Sequence, residues 1–498
     1  MMSGVVRSKS VVAIVRFAGP RLVAAVAAVA GGLTLSFLVA SGFWYVGAAL
    51  LLTVPLFIVL YRYPLATVIL WLFALPLVGE TSSYAVRAVF WLVHRGLPPA
   101  ALASIVLARM LCLGNTKRVR LGGAEVMMGT YLLISFVSIV YTAPEFLTTL
   151  FVLYDRVFIP MCLYLIIRLV EPDDKDLRRL LPVVLFVLVS QSVLGIISWR
   201  APHVLPEDWL GKVGERTTGS LRAPEVFGAT AIFCGAFILH VGMRSQNARR
   251  RMLGVLLFVA ALIMVFLSFS RSVWLAGFTL LVGTMFAYRG LAKRVLLVAA
   301  PLLLLLLGTG LLAEQTGFAQ ERFRSAESEE SALSRLPVFY AAVRMFEARP
   351  LTGWGYETFD RFDRQFQQTV GNLVAPDKDH ASHNLWLTTL AEQGILGFAL
   401  FLGPHVYWLG RTRSRATRMP TDGFVNRKFV TSLWIVFLCF VLINNFYRMQ
   451  TPFALGMWWL TAGLIATAVG RNSLARSTAP IAPKASAAGR LRLEEVSA

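Results

Sequence analysis

The chain of 498 residues is 57% hydrophobic and 15% charged, with a mean hydropathy of +0.66. That composition excludes an ordinary soluble globular protein and fits a polytopic membrane protein. A formal charge of +21 would suit a nucleic-acid partner, but the basic residues fall in short clusters between apolar stretches, as orientation signals do.

In chain order, the first apolar stretch follows Arg7, Lys9, Arg16 and Arg21 without a clear cleavage site, and reads as a retained helix. Windows able to hold a spanning helix fall at 22–40, 43–61, 64–79, 98–113, 125–142, 146–170, 180–198, 224–242, 253–269, 272–288, 294–312, 386–409, 429–446 and 454–470. They predict an all-α polytopic membrane protein of about 12–14 transmembrane helices, in one membrane domain over residues 1–470. With the N-terminus in the cytoplasm, four basic clusters share the inner side: Lys117/Arg118/Arg120, Arg244/Arg249/Arg250/Arg251, Arg289/Lys293/Arg294 and Arg411/Arg413/Arg415/Arg418/Arg427/Lys428. The segment 471–498, rich in Ala, Ser, Pro and Arg, joins them as a disordered cytoplasmic tail, so both termini are expected to be cytoplasmic.

The same count puts the loop at 199–223, the turn Ser270-Arg271-Ser272 and the long stretch at 313–384 on the external side. So long a loop should contain helices of its own. Over Ser334–Arg349, Leu336, Phe339, Tyr340, Val343 and Phe346 share one face, with Arg335, Arg344 and Glu347 elsewhere. Pro350 ends this helix and Gly353-Trp354-Gly355 makes a turn. An amphipathic helix here lies on the membrane surface, caps a cavity, or packs on top of the bundle.

His383 stands where a polar run passes into an apolar segment of helix length. At a helix N-terminus the positive dipole disfavours imidazolium and leaves a neutral imidazole able to accept a proton, and the same helix end suits an anion. A histidine at a membrane boundary is also a common capping residue, so the functional reading rests on its company. Arg271 is bracketed by two apolar windows, and a guanidinium held near hydrocarbon needs a partner. A phosphate suits its fork, as does a carboxylate from the external loops. Arg216 and Arg222, ahead of the window at 224–242, are further cations that could contact an anion or remain solvated. No acidic pair with metal-site spacing accompanies them, which favours a metal-free anion site.

Glu392 lies about 14 Å along the helix from His383 and on another face, and takes a structural helix-pairing role. Gly394 and Gly397 read as close-packing positions against a neighbouring helix. Asp155 and Arg156 form a structural ion pair, and Asn444, Asn445 and Arg448 could line a cavity. Cys112, Cys162, Cys234 and Cys439 lack metal-ligand spacing and imply neither a disulfide framework nor a zinc site. No Walker-type loop, ATPase motif or internal repeat is present, and no cofactor is implied.

The run His383-Asn384-x-x-Leu387 followed by Glu392-x-Gly394-x-x-Gly397 resembles the signature of the O-antigen ligase and O-antigen polymerase superfamily of bacterial membrane glycosyltransferases. Arg216-x-x-Gly219 with Pro224 shortly after, Ser270-Arg271-Ser272, and Arg349-Pro350-Leu351-x-Gly353-Trp354-Gly355 agree with it in order and side, over about residues 210–400. The resemblance implies a C-type glycosyltransferase-like fold in the bacterial inner membrane, a periplasmic site, and a donor glycan carried on undecaprenyl diphosphate. It implies that His383 deprotonates the acceptor hydroxyl and that Arg271 and Arg216, with Arg222 near, hold the diphosphate. His380 and Asn384 are secondary candidates, and the choice between His380 and His383 rests on the motif. The reaction expected is an inverting, metal-independent transfer to a glycan or lipid A-core acceptor in lipopolysaccharide or surface polysaccharide assembly, with no nucleic acid involved. A repeat-unit polymerase of the same superfamily is the alternative. A transporter of lipid-linked sugars would place charges near the midplane and show two related halves, neither of which is seen.

Overall fold

The computed structural model describes residues 55–78, 84–113, 121–209, 216–308, 335–367 and 382–477, with Ser36, Ser41 and Val119 besides. The chain divides into two compact units, residues 1–63 and 64–498. In the first, the main described element is α1 (Pro55–Arg62). In the second, every described element is a helix. The series runs α2 (Pro64–Val78), α3 (Ala85–Met110), α4 (Gly123–Thr142), α5 (Phe146–Val170), α6 (Asp174–Arg200), α7 (Pro224–Met243), α8 (Ala248–Leu267), α9 (Arg271–Ala287) and α10 (Leu291–Gly308). It continues with α11 (Leu336–Ala348), α12 (Phe359–Phe366), α13 (Leu385–Arg415), α14 (Arg427–Asn444) and α15 (Pro452–Ser477).

Among the described residues nine helices, α3 to α8 and α13 to α15, are long and apolar enough to cross a membrane, and α9 is a shorter apolar helix. A bilayer offers the backbone no other partner, so each apolar stretch closes its hydrogen bonds within itself. The chain is an all-α, multi-pass membrane protein. The window read at 98–113 is only the second half of α3, because His94 and Arg95 interrupt the apolar pattern in its first half. The windows at 22–40 and most of 43–61, and the tail beyond Ser477, lie outside the described residues.

Two helices make the centre of the bundle. The apolar windows of α7 and α15 are 89% and 100% buried against neighbours, whereas those of α4 and α6 are 28% and 33% buried and face outward. Close approach needs small residues. Gly242 of α7 meets Gly254 of α8 backbone to backbone, and a Cβ on either would fall 2.8 Å from the other's Cα. Elsewhere α15 lies along α5, α14 along α9, and α13 along α4.

The helix directions define two ends. At one, α7, α9 and α13 begin and α4 and α14 finish, and here α11 and α12 sit. The other collects the basic clusters between α7 and α8, α9 and α10, and α13 and α14. There Arg294 reaches Met243 Sδ at 3.6 Å, Arg415 donates to the Val469 carbonyl at 2.8 Å and Arg471 to the Glu171 carbonyl at 2.7 Å.

At the first end, the long stretch read as external holds helices where it is described. The first, α11, is shorter than the Ser334–Arg349 expected from periodicity, because Arg349 precedes Pro350 and leaves the helical region (φ −139°, ψ 71°). The second, α12, carries Phe359, Phe362 and Phe366 onto Val338, Ala342 and Met345 of α11 and onto Trp354, Leu387 and Ala391. Each fully buried apolar side chain contributes roughly 1.5–3 kcal/mol, so this cluster holds the helix pair on the start of α13.

Candidate functional site

The start of α13 is not a plain helix. Gly394 has φ 62° and ψ −168°, a region that glycine alone occupies without large strain, and the backbone breaks there. The Arg349–Gly355 loop docks into the break through four backbone hydrogen bonds. Ile395 N–H donates to Pro350 O at 2.8 Å and Leu396 N–H to Leu351 O at 3.3 Å, while Trp354 N–H donates to Ala391 O at 3.1 Å and Gly355 N–H to Glu392 O at 2.6 Å. The fit leaves no room for side chains at the contact: a Cβ on Gly394 would lie 2.4 Å from Leu351 C and O, and one on Gly353 would lie 2.3 Å from Glu392 C. Gly394 therefore admits a loop, not the neighbouring helix read from the sequence. Gly397 instead makes space for the Gln393 side chain, whose amide reaches Ser135 Oγ at 3.0 Å on α4. The motifs Arg349–Gly355 and Glu392–Gly397 are thus two halves of one backbone joint.

A chain of charges fastens the joint from below. Glu392 Oε1 accepts from Phe359 N–H at 3.2 Å and lies 3.5 Å from Arg448 Nη2. Arg448 also pairs with Glu357 Oε2 at 2.9 Å, and Arg156 closes the series on Glu357 Oε1 at 2.7 Å. Burial would raise the Glu357 carboxyl, but Arg448 and Arg156 outweigh it and hold that group below the usual carboxylate range. Glu392, read from the sequence as a helix-pairing residue, has Phe359 N–H and Arg448 as partners. Asp155 and Arg156, however, do not pair with each other. Consecutive helical residues do not face one partner, and Asp155 turns instead to Arg95, which binds it through two bonds of 2.8 and 2.6 Å.

Above this frame, the turn at 445–451 between α14 and α15 gathers the ends of several elements. Asn384 caps α13: its Oδ1 accepts from Trp386 N–H and Leu387 N–H, each at 3.0 Å, and its Nδ2 donates to Asn445 O at 3.1 Å. Those two amides are taken by the cap, so they are not the anion ligands that a bare helix end would offer. His383 precedes the cap with φ 49°, left-handed for a non-glycine residue, and is half-buried. Such a conformation costs on the order of 1 kcal/mol and persists only where surrounding contacts impose it. Ser382, bonded to the Thr388 hydroxyl and to Asn384 N–H at 3.3 Å, and Asn384 behind it supply those contacts.

The arginines reach the same end on other helices. Arg271 is the first residue of α9, after Ser270, whose hydroxyl donates to Glu225 Oε1 at 3.0 Å in the first turn of α7. Arg222, with φ 63°, stands just before Ala223, the residue that opens α7. The loop between Arg216 and Arg222 is held rigidly. Ser198 Oγ accepts from Thr218 and Gly219 N–H at 3.4 and 3.3 Å, Gln191 donates to Ser220 Oγ at 2.8 Å, and Thr217, Thr218 and Ser220 are buried. Arg335, which the sequence placed only on the polar face of a helix, opens α11 and donates to Phe446 O at 3.4 Å. Tyr447 next to Phe446 is half-buried, and desolvation raises its hydroxyl pKa, as does the nearby Glu225 carboxylate, against the opposing Arg156.

Arg222, Arg271, His383 and Asn384 are therefore collected at one end of the bundle, with Arg216 at the head of the loop that leads to Arg222; His380 lies outside the described residues. Residues 256–402 match the O-antigen ligase family. The matched segment is similar to O-antigen ligases. It takes in α9, α11, α12, the docked loop and the start of α13. Arg216, Arg222 and the turn at 445–451 fall outside the O-antigen ligase match, and the Glu225–Ser270 and Asn384–Asn445 hydrogen bonds tie them to it. No curated protein matches the chain. The match supports an enzyme at the coarse level of that family.

Proposed function

We propose that the protein is an inverting, metal-independent glycosyltransferase that moves a glycan from undecaprenyl diphosphate to an acceptor hydroxyl on the periplasmic face of the bacterial inner membrane, as in O-antigen ligation. The observation that carries this reading is the gathering of four helix starts around one turn. Arg222, Arg271 and Arg335 open or precede α7, α9 and α11, and His383 precedes the cap of α13. A candidate base and guanidiniums at one membrane surface are the parts such a transfer needs.

In this reading the His383 imidazole accepts the proton of the acceptor hydroxyl as its oxygen attacks the anomeric carbon. The bond from that carbon to the diphosphate oxygen breaks, its electron pair stays with the leaving oxygen, and Arg271, Arg216 and Arg222 hold the departing anion. A single displacement inverts the anomeric centre. General-base catalysis contributes a factor of about 10²–10⁴, roughly 3–5 kcal/mol of barrier. The guanidiniums add most where negative charge develops, because their helices and the buried 217–220 loop hold them in place before the reaction. The basic clusters at the opposite end support an inward, cytoplasmic placement of that end and of both termini, which leaves the site outside.

The test is transfer by purified protein in detergent, with an undecaprenyl-diphosphate-linked glycan, a panel of glycan and lipid A-core acceptors, and a chelator present. The proposal predicts release of undecaprenyl diphosphate and a product of inverted anomeric configuration. One step in acceptor size identifies a ligase and a ladder identifies a repeat-unit polymerase. Retained configuration, or activity abolished by the chelator and restored by a divalent cation, would refute the mechanism.

A further inference from the structure

Ser270 stands at the head of α9 and does not cap it. Its backbone is extended (φ −111°, ψ 123°), as at a helix start where a serine hydroxyl ordinarily accepts from an amide of the first turn, yet it makes no such bond. The hydroxyl donates instead to Glu225 Oε1 at 3.0 Å, in the first turn of the neighbouring helix α7. Ser272 Oγ lies 3.1 Å from it on the other side, and both serines are buried. A hydroxyl bonded to a carboxylate makes a charge-assisted bond, stronger than one between neutral groups. The start of α9 therefore has a tie to another helix in place of a local cap.

One turn further on, the same two helices meet again. Gly228 of α7 faces Val273 of α9, and a Cβ on Gly228 would fall 2.1 Å from Val273 Cγ1. Gly228 and Val273 lie three residues after Glu225 and Ser270, so the hydrogen bond and the contact follow each other along one seam and fix the two helix starts in register as well as in distance. The seam is backed on both flanks. Before α9, Phe269 has φ 49°, Ser268 Oγ accepts from Ser270 N–H at 3.4 Å and donates to Val265 O at 2.7 Å, and the Trp274 indole stacks on Phe266 and donates to its carbonyl at 2.8 Å. Before α7, the 217–220 loop is bonded to Ser198 and Gln191. Arg271 follows Ser270 directly and Arg222 precedes Glu225 by three residues. The seam thus sets the separation of the two arginine-bearing backbones, whatever the guanidiniums themselves contact.

We infer that Glu225 and Ser270, with Gly228 against Val273, are positioning residues that match the span between Arg222 and Arg271 to a diphosphate, so that the site prefers a lipid diphosphate to a lipid monophosphate. This rests on the glycosyltransferase reading, in which those arginines hold the leaving group, and adds the device that selects the carrier. Two phosphoryl groups joined by one oxygen present their anionic oxygens over a limited span, and two guanidiniums grip both only at a matching spacing. A shift of about 1 Å takes a charge-assisted bond of about 2.7–2.9 Å out of range. A monophosphate engages one guanidinium and is indifferent to the spacing.

Binding of undecaprenyl diphosphate and of undecaprenyl phosphate to detergent-purified protein tests this, with thermal unfolding in the absence of ligand to read the folding of each variant. The first variant combines Ser270→Ala with Ser272→Ala, which leaves neither hydroxyl to reach Glu225. The second is Gly228→Ala, and the third joins Gly228→Ala to Val273→Ala, where the new methyl has the Cβ of residue 273 at 3.1 Å in place of Cγ1 at 2.1 Å. Arg271→Gln is the fourth. Wild type should bind the diphosphate at least tenfold more tightly than the monophosphate. The serine variant and Gly228→Ala should each lower that ratio at least fivefold, through the diphosphate alone, and the Gly228→Ala/Val273→Ala variant should recover most of it. Should Gly228→Ala fail to fold, the serine variant decides. A seam that only stabilises the fold predicts lower melting temperatures with an unchanged ratio. That result overturns the inference, as does a wild type that binds both lipids equally; in either case a loss of diphosphate binding in Arg271→Gln leaves the glycosyltransferase reading standing. If wild-type protein does not bind undecaprenyl diphosphate, both fall.

Discussion

Gly394→Ala tests the backbone joint on which the candidate site rests. Glycine at φ 62°, ψ −168° is in a region that costs other residues on the order of 1–3 kcal/mol. The added methyl would start 2.4 Å from the Leu351 carbonyl, so the loop must also move and at least one of its four hydrogen bonds is lost, at about 1 kcal/mol. The sum is about 2–4 kcal/mol, concentrated at one place. Hydrogen exchange read by mass spectrometry in detergent is the assay. A loss near 3 kcal/mol in local opening corresponds to roughly 100-fold faster exchange of the amides of Trp354, Gly355, Ile395 and Leu396. Gly410→Ala, in the same helix where a methyl meets nothing within 4 Å, should leave those amides unchanged. Unaltered exchange in Gly394→Ala would mean that the loop is not held by the break, and the reasoning would fail.

Further predictions concern the cap and the charge network. Asn384→Ala should cost about 1–2 kcal/mol through the lost cap. Asn384→Asp keeps the cap but sets a carboxylate against Asn445 O, so turnover should fall tenfold or more with a smaller drop in melting temperature than in Ala; full activity in Asp would show that this tie does not position His383. Because Glu357 has a folded pKa below the unfolded one, its stabilisation is present above the ordinary carboxylate pKa of about 4.3 and is lost as pH falls through the lower folded value. Glu357→Gln should therefore be less stable than wild type at neutral pH, by about 1–3 kcal/mol after allowing for its 23% exposed side chain, and the gap should narrow on acidification. Thermal unfolding of both proteins at neutral and acid pH checks this, and a gap that widens in acid would contradict it.

The helices were legible because a bilayer allows little else: an apolar run of the right length must close its own hydrogen bonds. The exception, the first half of α3, carries His94 and Arg95, and its partners Trp71 and Asp155 lie on other helices. The glycines of Gly353–Gly355 and Gly394 were visible as punctuation, but not that they serve each other, since close approach between distant segments leaves no local periodicity. The same limit explains Arg156. Its sequence neighbour offered a carboxylate, yet its partner Glu357 lies 201 positions away, and Arg448 pairs with that same residue 91 positions back. Arg335 looked like one polar position on an amphipathic helix, and only its mooring at Phe446 brings it to the site. His383 and Arg271 were legible because each is a charged or ionisable group at the mouth of an apolar helix, where position alone raises the question of function.

The central claim is that His383 is the base. The measurement that tests it most directly is release of undecaprenyl diphosphate from a lipid-linked glycan by wild type and His383→Ala, each shown to bind undecaprenyl diphosphate and to unfold at a similar temperature. The account predicts donor binding retained in the variant and turnover reduced by at least about 10²-fold, the lower range for a lost general base. Turnover near the wild-type level in His383→Ala would contradict it.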